Sequence, residues 1–226
     1  MLYDPYDVLY TMLLMTITHS FVVLFDKFAT TKLNDKTKWF FLHFVGNCYV
    51  VYRSLHAVLN FIHDPIHATL STDNVVDTRI IVLSMHIYHQ LLFKLNTEDL
   101  YHHIVFVYLG TTLIHFSQIG YLMSIYQLFS SGLPGGLIYL CLVLEHYNIM
   151  NKETRLSIAS WINLWIRSPG LCICGSVCLL RFLYFPKTIN SLVIFILTQF
   201  CTIYNGQYYM NQVIRADERD KNRRVK

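Results

Sequence analysis

The chain has 226 residues, 54% of them hydrophobic and only 14% charged, with a formal net charge of +4. A soluble domain carries about a quarter charged residues, so this deficit argues against a water-soluble globule and points to an all-α polytopic membrane protein. The basic residues cluster at 27–38 and in the tail RADERDKNRRVK, which reads as membrane topology and not as nucleic-acid binding.

In chain order, the N-terminus MLYDPYDVLY carries Asp4 and Asp7 and lacks a basic n-region. The first apolar run, 8–25, is therefore expected to be a retained span and not a cleaved signal. The basic loop DKFATTKLNDKTK follows, then a second span at 39–62. The polar loop HDPIHATLSTDNVVDT holds Asp64, Asp73 and Asp77. A short third span covers 80–93, and a fourth runs from near 100 to about 116.

The stretch 119–147 is interrupted by SSGLPGG, where Pro134 removes a backbone donor. It is expected to be one broken or kinked span, or a span plus a re-entrant piece. Broken backbone at membrane depth needs protein or a cavity to cover it, which points to an interior cavity. After the polar connection NKETRLS, 158–184 is interrupted by RSPG. The expectation there is an interfacial piece, SIASWINLWIR, followed by a shorter span. The last span is placed at about 188–207.

This gives roughly seven spans, with six or eight as alternatives. Lys27, Lys32, Lys36 and Lys38, then Lys152 and Arg155, then the tail fall on one side, and the acidic loop falls on the other. The positive-inside tendency places the C-terminus in the cytosol and the N-terminus in the lumen. The six cysteines lie in apolar stretches without paired CxxC spacing and read as buried free thiols.

Ionisable residues inside spans usually face a protein interior or a wet cavity. Arg53, His56 and Asn60 share one helical face, His43 and Asn47 form a separate polar pair, and His86 and His89 share a face of the third span. Asp99 precedes His102 by three residues and His103 by four. One reading is a catalytic constellation. Asp99 orients an imidazole, His102 or His103 acts as base or acyl acceptor, and Arg53, His56, Asn60, His86 and His89 bind substrate. The other is structural: Glu98 and Asp99 cap the first turn of a helix, and the histidines bond to neighbouring helices. A di-iron site would need HxxHH boxes, none of which occurs, and His63 and His67 flank Pro65 in a loop, so no metal is expected.

Two stretches, KWFFLHFVGNCYVVYRSLHAVLNFIHDP and TEDLYHHIVFVYLG, together resemble the TLC-domain family, named for the TRAM, Lag and CLN proteins. Arg53, Ser54, His56 and Ala57 stand close to the family's R-x-x-S-x-x-H-A-like element. Asp99, His102 and His103, with Glu98, stand close to its D-x-x-x-H-H element. The resemblance divides the chain into an N-terminal span and basic loop (1–36), a TLC-like membrane domain (37–210) and a charged cytosolic tail (211–226). It implies a multi-pass helical protein of the endoplasmic reticulum, with membrane lipids as partners and a cavity walled by the second to fifth spans.

The family includes ceramide synthases, lipid regulators and translocon-associated proteins. The resemblance implies lipid handling, by binding, sensing, transport or homeostasis. Its alternatives are an acyltransferase using acyl-CoA as co-substrate, with no bound cofactor, and a translocon-associated, partner-binding role. Ceramide synthases carry further acidic residues after the paired histidines, whereas TLIHFSQIGYLMSIYQLFSSGLPGG holds none. The Tyr-, Ile- and Asn-rich usage points to an AT-rich genome, as in protists and large DNA viruses, which adds a host-cell membrane as a second location.

Overall fold

The computed structural model describes residues 5–28, 32–70, 78–117, 121–184 and 189–224, which hold helices and short connections with no β-strand. The expected loop acids Asp73 and Asp77, and Asp4, lie outside the described residues. Helix α1 spans Pro5–Phe28, α2 Asp35–His63, and the short α3 Pro65–Leu70. Helix α4 spans Thr78–Leu92 and α5 residues 97–117. Helix α6 spans Leu122–His146, α7 Lys152–Tyr184 and α8 Ile189–Arg224.

Three helix starts are set by one device. Asn34, Asn96 and Asn151 each accept the backbone N–H three residues on, from Thr37, Asp99 and Thr154, all at 2.8 Å. Such caps contribute about 1 kcal/mol each. These capped starts, of α2, α5 and α7, lie at the same end of the bundle as the ends of α6 and α8. There Arg155 Nε donates to Glu145 Oε2 at 2.5 Å, Lys152 Nζ to Asp220 Oδ1 at 2.8 Å, and His146 Nε2 to the Lys32 carbonyl at 3.1 Å. Lys32, Lys152 and Arg155, expected on one side, are thus gathered at one end. At the other end Arg181 donates to the Thr69 carbonyl at 2.6 Å and ties α7 to α3.

The α2–α6 seam is close because α6 presents glycines. A Cβ placed on Gly135 would lie 2.8 Å from Asn47 Nδ2, so the glycine leaves the room that the Asn47 amide occupies against α6. Polar side chains stitch the same seam. Ser131 Oγ donates to Asn47 Oδ1 at 2.7 Å, and the buried Ser54 hydroxyl reaches the carbonyls of Val50 and Ser124.

Neither proline-containing stretch breaks its helix. Helix α6 passes through Pro134 by widening into a π-helical turn over Leu128–Gly132. Helix α7 widens over Asn163–Arg167 just before Pro169, so the expected interfacial piece and shorter span are one helix of 33 residues. The physical reason is supplied from another helix. Pro134 has no N–H for the carbonyl four residues back, that of Ser130, and Arg167 Nη2 donates to this carbonyl at 2.8 Å. Helix α8 likewise runs past residue 210 into the charged tail without interruption.

Large apolar side chains cover the outside. Leu9, Leu13 and Phe21 on α1, Trp161, Trp165 and Leu183 on α7, and Ile196 and Phe200 on α8 are all exposed, while many Ser, Thr, Asn and His side chains are buried. Water-soluble bundles arrange these groups the other way round. Helices α6 and α7 are long and apolar enough to cross a membrane, and Met12–Leu24 forms a shorter apolar helix. The cysteines are free thiols; Cys141, Cys174 and Cys178 are buried, whereas Cys48 and Cys172 face outward.

Candidate functional site

A cavity of about 410 Å³ opens among α2, α4, α5, α6, α7 and α8. This is within the usual size range of small-molecule sites, about 300–1,000 Å³. Its wall combines apolar side chains with a set of polar and ionisable ones from six helices. His43 and Asn47 come from α2, His86 from α4, Asp99 and His102 from α5, Asn163 and Arg167 from α7, and Asn205 and Tyr209 from α8.

Local backbone geometry aims several of these groups. All three π-helical stretches among the described residues meet the cavity. His102–Leu109 contributes His102, Phe106 and Val107; Leu128–Gly132 contributes Ser130 and Ser131; Asn163–Arg167 contributes its two end residues. A π turn rotates the side chains that follow it relative to a regular helix, which is why such turns recur at functional sites.

The histidines of α4 and α5 meet in two pairs. His86 Nε2 lies 3.0 Å from His102 Nε2, and His89 Nδ1 lies 3.3 Å from His103 Nε2. Their partners fix the direction of each pair. His86 Nδ1 is 2.7 Å from the Val82 carbonyl, which only accepts, so that nitrogen carries the proton. In neutral rings, His86 Nε2 must then accept from His102, and His102 Nδ1 must accept from the Tyr209 hydroxyl at 2.5 Å. The result is a directed relay, Tyr209 to His102 to His86 to Val82. In the second pair the Gln90 amide donates to His103 Nδ1 at 2.9 Å, so His103 Nε2 donates to His89.

Aromatic faces hold the remaining rings. His89 stacks on Trp39 with centroids 3.8 Å apart, and His43 stacks on Tyr139 at 4.2 Å. His43 Nδ1 is buried without a hydrogen-bond partner, as are Arg167 Nε and Asn205 Oδ1. All three residues line the cavity. Among the described residues no group of three or more His, Cys, Asp or Glu side chains is disposed to hold a metal ion.

The structure therefore brings together His86, His89, His102 and His103, with Asp99 at the cavity wall. The Asp99 carboxylate accepts from the Asn96 backbone N–H at 3.2 Å, completing a reciprocal capping box. The groups bonded to the imidazoles are instead Gln90, Tyr209 and the Val82 carbonyl. Of the candidate site residues, His86, Asp99 and His102 line the cavity, whereas His89, His103, Arg53, His56 and Asn60 do not. His56 and Asn60 bond to each other at 3.3 Å, and Arg53 Nη1 donates to Tyr49 Oη at 2.6 Å. Residues 53, 56 and 60 sit about 100° round α2 from the buried set Val50, Ser54 and Ala57.

Sequence reasoning missed Arg167, Asn163, Asn205 and Tyr209. Their signal is spacing: 163 and 167, and 205 and 209, each put two polar groups one turn apart inside an apolar helix. No protein-family model, no curated protein and no solved structure matches this chain.

Proposed function

We propose that this is a multi-pass membrane protein of the TLC type, with about seven spans, that handles lipid by holding an amphiphile's polar end in the cavity. The observation that carries this reading is the inside-out distribution of side chains: apolar groups outward, and a histidine-, arginine- and asparagine-lined cavity within. In this reading α1, α2, α4, α5, α6, α7 and α8 are the spans. The end bearing Lys32, Lys152 and Arg155 faces the cytosol, and the membrane is that of the endoplasmic reticulum or of a host cell.

The test is to purify the full chain and identify co-purifying lipids by mass spectrometry, beside a His102→Ala/His103→Ala variant and a mock purification. One lipid class enriched by the wild type and depleted in the variant is the expected result. A lipid profile identical to bulk membrane in both proteins would refute the proposal.

A second reading, acyl transfer, is favoured by the Tyr209–His102–His86 relay. A substrate hydroxyl or neutral amine bonded to the Tyr209 oxygen can attack a thioester such as acyl-CoA while its proton passes to Tyr209 and Tyr209 passes its own to His102 Nδ1. The tetrahedral adduct would then expel thiolate, which takes the proton back from the imidazolium.

A further inference from the structure

Arg167 is the group that the proposed relay leaves unused. It is buried, at 9% exposure, and lines the cavity. Its hydrogen bonds go to neutral acceptors: Nη1 donates to Asn163 Oδ1 at 3.3 Å and Nη2 to the Ser130 carbonyl at 2.8 Å. Its guanidinium lies 4.8 Å from the centroid of the Tyr209 ring, and Nε–H has no partner. A guanidinium offers five N–H donors, so those bonds leave most of its capacity open. The ion pairs among the described residues join other side chains and bring no carboxylate to it. Of the cavity's acids, Asp99 is committed to the Asn96 cap and Glu98 is exposed at the mouth, where Lys36 also stands.

A buried cation without a counter-ion is strongly unfavourable, and arginine does not relieve this by losing its proton. The planar fork instead matches the paired oxygens of a carboxylate or phosphate. We infer that the occupant of this cavity presents an oxyanion to Arg167, so the site selects amphiphiles with an anionic headgroup. This rests on the reading of the cavity as a lipid site and names its ligand class. The same ring that carries the Tyr209 hydroxyl into the relay packs on the guanidinium, so a bound oxyanion would sit beside the relay's first proton donor.

The test is equilibrium binding to the full-length protein in neutral detergent micelles. Hexadecanoate is compared with hexadecanol, lysophosphatidate with monoacylglycerol, and inorganic phosphate is a separate arm. The expected result is a preference of about tenfold or more for each anionic member over its neutral partner. That preference is lost in Arg167→Gln and reduced but present in Arg167→Lys, which keeps the charge without the planar fork. Equal binding of charged and neutral members to the wild type overturns the inference and leaves the lipid reading standing. This wild-type comparison decides the matter even where Arg167→Gln fails to fold. Phosphate binding that depends on Arg167, with no amphiphile bound, supports the oxyanion site and overturns the lipid reading. Absence of binding in every arm overturns both.

Discussion

Replacing Tyr209 with phenylalanine isolates the first link of the relay. The change removes the hydroxyl that donates to His102 Nδ1 at 2.5 Å and keeps the ring that packs on the Arg167 guanidinium at 4.8 Å. His102 Nδ1 then loses its donor inside the bundle, while His102 Nε2 remains directed at His86. Leaving a buried acceptor unsatisfied destabilises by about 1–3 kcal/mol. Tyr209→Leu also removes the cation–π contact, worth a further ~0.5–2 kcal/mol. The order of stability is therefore wild type, Tyr209→Phe, Tyr209→Leu. Reversible denaturant unfolding in mixed micelles measures it. A double-mutant cycle with His102→Phe isolates the pair and should return a coupling of about 1 kcal/mol or more. A coupling near zero would show that the hydroxyl and the imidazole do not interact, and the relay would have no first step.

Three further perturbations test separate parts of the architecture. Gly170→Ala drives a Cβ into the Cγ–Cδ1 edge of the Phe129 ring, so the α6–α7 contact must shift; overpacking of this kind destabilises by about 1–3 kcal/mol, and an unchanged melting temperature would count against that contact. Single cysteines placed at Lys36, Ile66 and Asp220, after replacement of the six native cysteines, should report topology to a membrane-impermeant thiol reagent. Positions 36 and 220 are expected to label together and 66 from the opposite face, and labelling of 36 and 66 from one face would rule out α2 as a span. In the tail, the 2.8 Å hydrogen bond to Asp217 raises the Lys221 pKa above its ordinary value of 10.5. Its contribution to tail helicity is thus present below pH 10.5 and lost as pH rises through the raised value. The Lys221→Met variant should show a flatter alkaline circular-dichroism titration than the wild type.

What the sequence by itself determined is local. Asn34, Asn96 and Asn151 set helix starts because a short side-chain oxygen satisfies the N–H three residues on, and that depends on no other helix. Asp99 of EDLYHH was legible as a capping residue because it stands in the first turn, where its carboxylate accepts the N–H of Asn96. The three- and four-residue spacings that put Arg53, His56 and Asn60 on one face of α2, and the pairing of His56 with Asn60, are likewise properties of one helix.

Tertiary structure decided what a single helix cannot specify: which face turns inward and what waits there. It turned His43 and Asn47 toward the cavity and placed Arg53, His56 and Asn60 elsewhere on α2. It joined His86 to His102 and His89 to His103, since only the packing of α4 on α5 sets their relative rotation. It also carried α6 through Pro134. Read alone, the proline predicts a break, because its ring removes the donor to the Ser130 carbonyl. In the fold, Arg167, 37 residues along the chain, supplies that donor, and the helix continues.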